Sequence, residues 1–235
     1  MKEIARIVHE HDAYFHTDAC QSHTKTALNV KTQNLDLVTL NAHKIHGPKG
    51  VGALYIREGT RIEAWQHGGG HERGLRSSTE NIPGIIGFAE AVRLGMNKKH
   101  VEHMTRLRDK LIKGVLEIPD TLLNGPRGDK RLCNNANFVF KNVEGEAIGG
   151  YLDLKGVASS TGSACSSHSL EPSHVLLAIG RTPEEANGSI RLTISRFTTE
   201  EEVDYVLEVL PGIIKKLRRM SPLTKVVDYV LKKSD

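Results

Sequence analysis

The chain has 235 residues, is 38% hydrophobic and 26% charged, and carries a net charge of +4. Both signs are mixed along it, which excludes the clustered Lys/Arg of a dedicated nucleic-acid surface, and no apolar run approaches the ~18 residues a membrane span needs. Met1–Val8 does not read as a signal peptide, and Cys20, Cys133 and Cys165 are too widely spaced for a disulfide framework, so the expected compartment is a reducing cytoplasm.

In chain order, residues 2–11 predict a short helix with Ile4, Ile7 and Val8 on one face. Residues 13–17 predict a strand ending at Asp18, followed by a polar loop through Cys20, Gln21 and Ser22. Strands at 35–40 and 51–56 flank Asn41-Ala42-His43-Lys44-Ile45-His46-Gly47-Pro48-Lys49-Gly50, a loop of small residues holding one lysine. A loop between two buried strands can hold a side chain rigidly and leave its tip exposed. The 61–79 stretch is Gly-rich and without periodicity, and reads as an ordered loop or a segment reaching toward a partner. From Asn81 to about Glu117 the pattern is helical, as one long or kinked bridging helix with Gly95 as a break.

Residues 121–235 predict a smaller α/β unit. Its strands fall at 122–123, 136–140 and 189–194, and its helices at 145–154, 173–179 and 199–217, with a last one at 223–231. Thr199 before Glu200-Glu201-Glu202 is a helix-start signal, since a hydroxyl caps free N–H groups and acids favour the positive end. The implied division is 1–95, a bridging helix 96–120, and 121–235.

Several residues carry candidate chemistry. Lys44 reads as a solvated surface charge or as an amine able to condense with an aldehyde. Asp18, at the end of a preceding strand, either caps a helix or serves as the acid that pairs with a pyridine nitrogen. Gln21 stands within reach of the same ring. Cys165 lies in Ser159-Ser160-Thr161-Gly162-Ser163-Ala164-Cys165-Ser166-Ser167, a tract nearly devoid of apolar anchors, where an exposed thiol is incidental or a nucleophile. Cys20 and Cys133 read as structural. Arg191 is a strand arginine, either surface-facing or a fork for a carboxylate. The pairs His43/His46, His67/His71 and His100/His103 have metal-binding spacing but no further Cys or acid to complete a set; His43, beside Lys44, belongs with the candidate site.

Taken together, these motifs resemble the cysteine desulfurases. The resemblance rests on His16-Thr17-Asp18-Ala19-Cys20-Gln21-Ser22, on Ala42-His43-Lys44, and on His67-Gly68-Gly69-Gly70-His71-Glu72-Arg73-Gly74-Leu75-Arg76-Ser77-Ser78-Thr79. It continues through Thr161-Gly162-Ser163-Ala164-Cys165-Ser166-Ser167 and Ser189-Ile190-Arg191-Leu192. The long tract around Cys165 is similar to the NifS/IscS-like branch of the class V aminotransferase superfamily. The resemblance implies part of a fold type I, pyridoxal 5'-phosphate-dependent large domain followed by a small α/β domain.

It implies roles as well. Lys44 joins the pyridoxal phosphate and moves protons, Asp18 pairs with the ring nitrogen, Gln21 meets the phenolic oxygen, and His43 helps hold the phosphate end. Thr79 is similar to the residue that reaches the phosphate of a neighbouring subunit, which implies a homodimer. Arg191 binds the carboxylate of L-cysteine. Cys165 takes the sulfur, leaving alanine and a persulfide for an iron–sulfur scaffold or another acceptor protein, and is a transient iron–sulfur ligand at most; no resident metal, nucleic acid or membrane is expected. Asn41 departs from the Ser or Thr usual where the family binds phosphate. The family's chains also begin well before residue 1, so a C-terminal portion is expected, inactive without the missing part. The alternatives are a non-catalytic interaction remnant and a selenocysteine lyase.

Overall fold

The computed structural model describes residues 1–161 and 171–220. The chain divides after Lys98 into two units, each with its own three-stranded sheet.

The first unit opens with helix α1 (Lys2–Glu10), which buries only Ala5 and leaves Ile4 and Ile7 largely exposed. Strand β1 (His16–Asp18) pairs in parallel with β2 (Leu37–Asn41), and β2 pairs antiparallel with β3 (Gly52–Ile56). Asp36, just before β2, is almost fully buried and ties the unit together. Its Oδ2 accepts from the Phe15 N–H at 2.7 Å and lies 2.7 Å from His9 Nε2, while Arg57 Nη1 reaches Oδ1 at 3.2 Å. Burial pushes this carboxyl up, but the His9 and Phe15 hydrogen bonds and the Arg57 charge outweigh it, leaving the pKa below the ordinary value. Ala19, Leu35 and Val38 form one apolar cluster; Ala42 and Ile45 form another with Phe88 and Ala91 of helix α2 (Ile82–Gly95). The α2 start is fixed by Asn81, whose Oδ1 accepts the Gly84 N–H at 3.2 Å.

The 81–117 stretch is two helices, α2 and α3 (Lys98–Val115), parted at Met96–Asn97. The break follows Gly95, where a Cβ would sit 3.2–3.3 Å from three atoms of Thr24. Met104, Leu107, Leu111 and Val115 of α3 belong to the core of the second unit.

That unit's sheet runs β4 (Thr121–Leu123), β5 (Asn135–Phe140), β6 (Ser189–Thr193), antiparallel throughout. Ala136, Phe138, Phe140, Ile190 and Leu192 face the core, joined by Ile148 and Leu152 of α4 (Gly145–Asp153). Leu210, Ile214 and Leu217 of α7 (Glu200–Met220) close it. Burying each such side chain contributes about 2 kcal/mol. The expected Thr199 cap is present: Thr199 Oγ1 accepts the Glu202 N–H at 3.2 Å and Glu202 answers the Thr199 N–H at 2.8 Å. Glu200 receives Lys110 at 2.8 Å and Arg106 at 2.5 Å, and those hydrogen bonds hold its carboxyl down to about 2. Short helices α5 (His174–Ala178) and α6 (Pro183–Asn187) precede β6; α6 goes beyond the elements expected from the sequence. The helix expected at 223–231 lies outside the described residues.

Candidate active site

Parallel pairing of β1 with β2 sets Asp18 opposite Thr39 and brings both strands' carboxyl ends to one edge of the sheet. That edge is where open α/β sheets bind ligands. Asp18 is the last residue of β1, and Lys44 follows β2 by three residues, on a 3₁₀ turn at His43–Ile45. The turn is anchored from below by Ala42 and Ile45, both buried, so that His43 and Lys44 are exposed. Asn41 Oδ1 accepts the Lys44 N–H at 3.4 Å, and His46 closes the turn in the left-handed region at φ 66°. Gly47 is required by a close approach: a Cβ there would lie 3.0 Å from Ala42 Cβ, from the Ala42 carbonyl and from Ala91 Cβ.

The electrostatics join the two strand ends. Asp18 Oδ1 accepts the Cys20 N–H at 2.8 Å. Hydrogen bonds from the Cys20 thiol and backbone, helped by the charges of Lys44 and His16, hold the Asp18 carboxyl below its ordinary value, with burial opposing them. Burial, followed by the Asp18 hydrogen bond and charge, pushes the Cys20 thiol up to about 11. Asp18 is therefore ionised at neutral pH, and Cys20 is a neutral thiol serving it. His16 Nε2 lies 2.8 Å from Thr39 Oγ1. Gln21 is exposed in the turn that follows, its carbonyl accepting Lys25 Nζ at 3.0 Å.

Thr79 is exposed at the end of the 61–79 stretch. That stretch is closed on itself by Ser77 Oγ donating to the His67 carbonyl at 2.9 Å and by the Trp65 N–H donating to Leu75 at 3.0 Å. Arg76 Nη1 reaches the carbonyls of Ser78 and Thr79 at 3.2 and 3.4 Å.

In the second unit, Arg191 is half-buried on β6, opposite Asn137. Its backbone pairs with Ser160 in both directions, N–H to carbonyl at 2.6 and 3.1 Å. Thr161 is likewise tied to β6, its carbonyl accepting Ser189 Oγ at 3.5 Å. Ser160 and Thr161 precede Cys165 in the sequence, and Cys165 itself lies outside the described residues. Cys133 and Cys20 are both buried.

The donor set at the β1–β2 edge fits pyridoxal phosphate: an ionised carboxylate for a protonated ring nitrogen and an exposed primary amine for the aldehyde. Among the described residues no group of three His, Cys, Asp or Glu side chains could hold a metal ion, and no helix is long and apolar enough to cross a membrane. His103 lies 2.8 Å from the Thr198 carbonyl, a structural contact. Sequence reasoning missed the Cys20–Asp18 pairing and the buried Asp36 cluster. Both signals were present, in the two-residue spacing of Asp18 and Cys20 and in an acid abutting an apolar run.

Residues 1–206 match the aminotransferase class-V family. The whole chain is 50% identical to a cysteine desulfurase IscS of Clostridium botulinum, of which it covers 60%. Of the chain, 95% is 50% identical to a protein of that name from Methanosarcina thermophila, covering 56% of it. A solved NifS-like protein superposes with a TM-score of 0.83 at 35% identity, over 92% of this chain and 57% of that one. The chain thus spans somewhat over half the length of these relatives.

Proposed function

This chain belongs to the aminotransferase class-V family, and from that premise we propose that it is the cofactor-anchoring and sulfur-accepting portion of a cysteine desulfurase. In the proposed reaction L-cysteine becomes L-alanine, and the sulfur passes, as a persulfide, to an iron–sulfur scaffold or another acceptor protein. One observation carries it: an exposed lysine, on a turn seated on buried Ala42 and Ile45, and an aspartate at the end of β1 stand at the same sheet edge. The relatives' names point the same way.

Pyridoxal 5'-phosphate, when bound, supplies an electron sink next to the substrate's Cα. The chain's own groups do the rest. Lys44 holds the aldehyde carbon and moves protons at the substrate. Asp18, ionised, keeps the ring nitrogen protonated. Gln21 donates to the phenolic oxygen, while Asn41 and His43 serve the phosphate end, Asn41 with an amide in place of a hydroxyl. Thr79 reaches the phosphate held by the second copy of a homodimer. Arg191 takes the substrate carboxylate. Cys165, as thiolate, attacks the substrate sulfur: an S–S bond forms, the C–S bond breaks with its electron pair left on carbon, and protonation there gives alanine. The cytoplasm supplies the reducing conditions this thiol needs.

The test is spectroscopic and chemical together. With pyridoxal phosphate added, the purified chain is expected to develop a visible band that Lys44→Ala abolishes. With the remaining part of the enzyme supplied, Cys165→Ser is expected to keep the band and stop sulfide release from L-cysteine. Sulfide release that survives Cys165→Ser contradicts the persulfide role, and a band indifferent to Lys44→Ala contradicts the anchoring role.

A further inference from the structure

Strand β5 alternates along Asn135-Ala136-Asn137-Phe138. Ala136 and Phe138 enter the core, which sends both asparagines to the opposite face of the sheet. On that face Asn137 stands between two polar neighbours. Arg191 is directly opposite it on β6. On the other side is Asn124, just past β4, whose N–H donates to the Asn137 carbonyl at 2.8 Å. Asn124, Asn137 and Arg191 therefore form one row across the sheet.

The hydrogen bonds in this row have only one permitted direction. A guanidinium can donate and never accept. Arg181 Nε lies 2.6 Å from Asn124 Oδ1, and its Nη2 donates to the Leu123 carbonyl at 3.0 Å. Asn124 Oδ1 must therefore accept, which leaves its Nδ2 to donate. That Nδ2 meets Asn137 Oδ1 at 2.6 Å. With its oxygen engaged, Asn137 presents its amide NH₂ on the face it shares with Arg191. Among the described residues neither this NH₂ nor the Arg191 guanidinium has an acceptor, although both residues are half-buried. Arg131, which donates to Asn135 Oδ1 at 3.2 Å and to the Asn124 carbonyl, adds positive charge to the same face. Glu185, 3.9 Å from Arg181, is the nearest carboxylate among the described ion pairs there.

We propose that the Asn137 amide is a second donor beside Arg191 for the carboxylate of an amino-acid substrate, with Asn124 and Arg181 as positioning residues that fix which way the amide points. The proposal rests on the reading that Arg191 receives that carboxylate. Its chemistry is complementary. A carboxylate is an acceptor only, with room for a bidentate guanidinium and a further N–H donor. An Asn137 amide turned the other way would offer an oxygen and repel the same ligand.

The orientation makes an intact Asn137 sensitive to its neighbour. In Asn124→Asp, Arg181 keeps an acceptor, but nothing donates to Asn137 Oδ1. The Asn137 amide is then expected to turn, bonding the introduced carboxylate through Nδ2 and showing its oxygen beside Arg191. The experiment titrates ¹⁵N-labelled full chain with L-alanine, and with alaninamide as the probe lacking a carboxylate, following the side-chain NH₂ signals. L-Alanine is expected to shift the Asn137 NH₂ and alaninamide to leave it in place. Affinity for L-alanine is expected to fall about tenfold or more in Asn137→Asp and several-fold in Asn124→Asp, as loss of a hydrogen bond to a charged group implies.

Wild-type Asn137 signals that ignore L-alanine overturn the proposal, whatever the variants do. Unchanged affinity in both asparagine variants, with binding lost in Arg191→Gln, overturns the proposal and leaves the Arg191 reading standing. Unchanged affinity in Arg191→Gln as well removes both.

Discussion

Asp18 gains its character from a two-residue turn. The Cys20 N–H donates to its carboxylate at 2.8 Å, the neighbouring thiol and the Lys44 charge also favour the charged form, and so the acid is ionised while the thiol beside it is held neutral. With its ionisation pushed to about 11, Cys20 is expected to stay silent toward Ellman's reagent at about pH 8 in the folded chain and to react once denatured. Rapid native labelling of Cys20, mapped by mass spectrometry, would refute its burial against Asp18. Asp36 offers a separate test. Its folded pKa is depressed below 3.8, so its contribution to stability is complete above about pH 4 and is lost as pH falls through the folded value. Asp36→Asn is expected to cost roughly 2–3 kcal/mol at neutral pH by leaving Arg57 and His9 without their charged partner. The cost should shrink in urea titrations near pH ~3, and a difference independent of pH would contradict it. The placement of Asp18 at a strand end, Lys44 on the turn after the next strand and Arg191 within a strand was legible because strand ends and an arginine among apolar neighbours are visible in one dimension. The contact of Asn124 with Asn137 was not, because it arises from pairing across strands.

At the scale of elements, the turn carrying Lys44 is held by contact with α2. Gly47 sits where any side chain would press on Ala42 and Ala91, so Gly47→Ala is expected to destabilise the first unit by about 1–2 kcal/mol through overpacking. The measurement is chemical denaturation followed by far-UV circular dichroism; an unchanged midpoint would contradict the close contact. Gly145 plays the same part in the second unit, where a Cβ would lie 2.2 Å from the Ser189 carbonyl, at the foot of the strand bearing Arg191. The regular elements were largely readable from apolar spacing and caps. Helix α6 escaped because five residues are too few for periodicity, although its capping box, Thr182 with Glu185, is written in the sequence. Strand β1 begins three residues later than its apolar run suggests, since Phe15 is spent bonding Asp36 and Leu37.

For the whole molecule, each unit has its own sheet and core, and the first leaves much apolar surface uncovered. Ile4, Ile7, Tyr14, Leu54, Trp65, Ile82, Ile85 and Ile86 are all exposed. Surface of that kind marks contact with other protein. The chain is expected to associate, with a mass by light scattering above the 25.9 kDa of one copy at micromolar concentration; a clean monomer would contradict both the uncovered faces and the proposed homodimer. The proposed chemistry of this chain depends on Lys44 bonding to pyridoxal phosphate. The direct measurement is borohydride reduction of the loaded chain followed by peptide mapping. The expected result is one pyridoxyl group on Lys44, weakened by Asp18→Asn and absent in Lys44→Ala. Label scattered over surface lysines with no preference for Lys44 would contradict it.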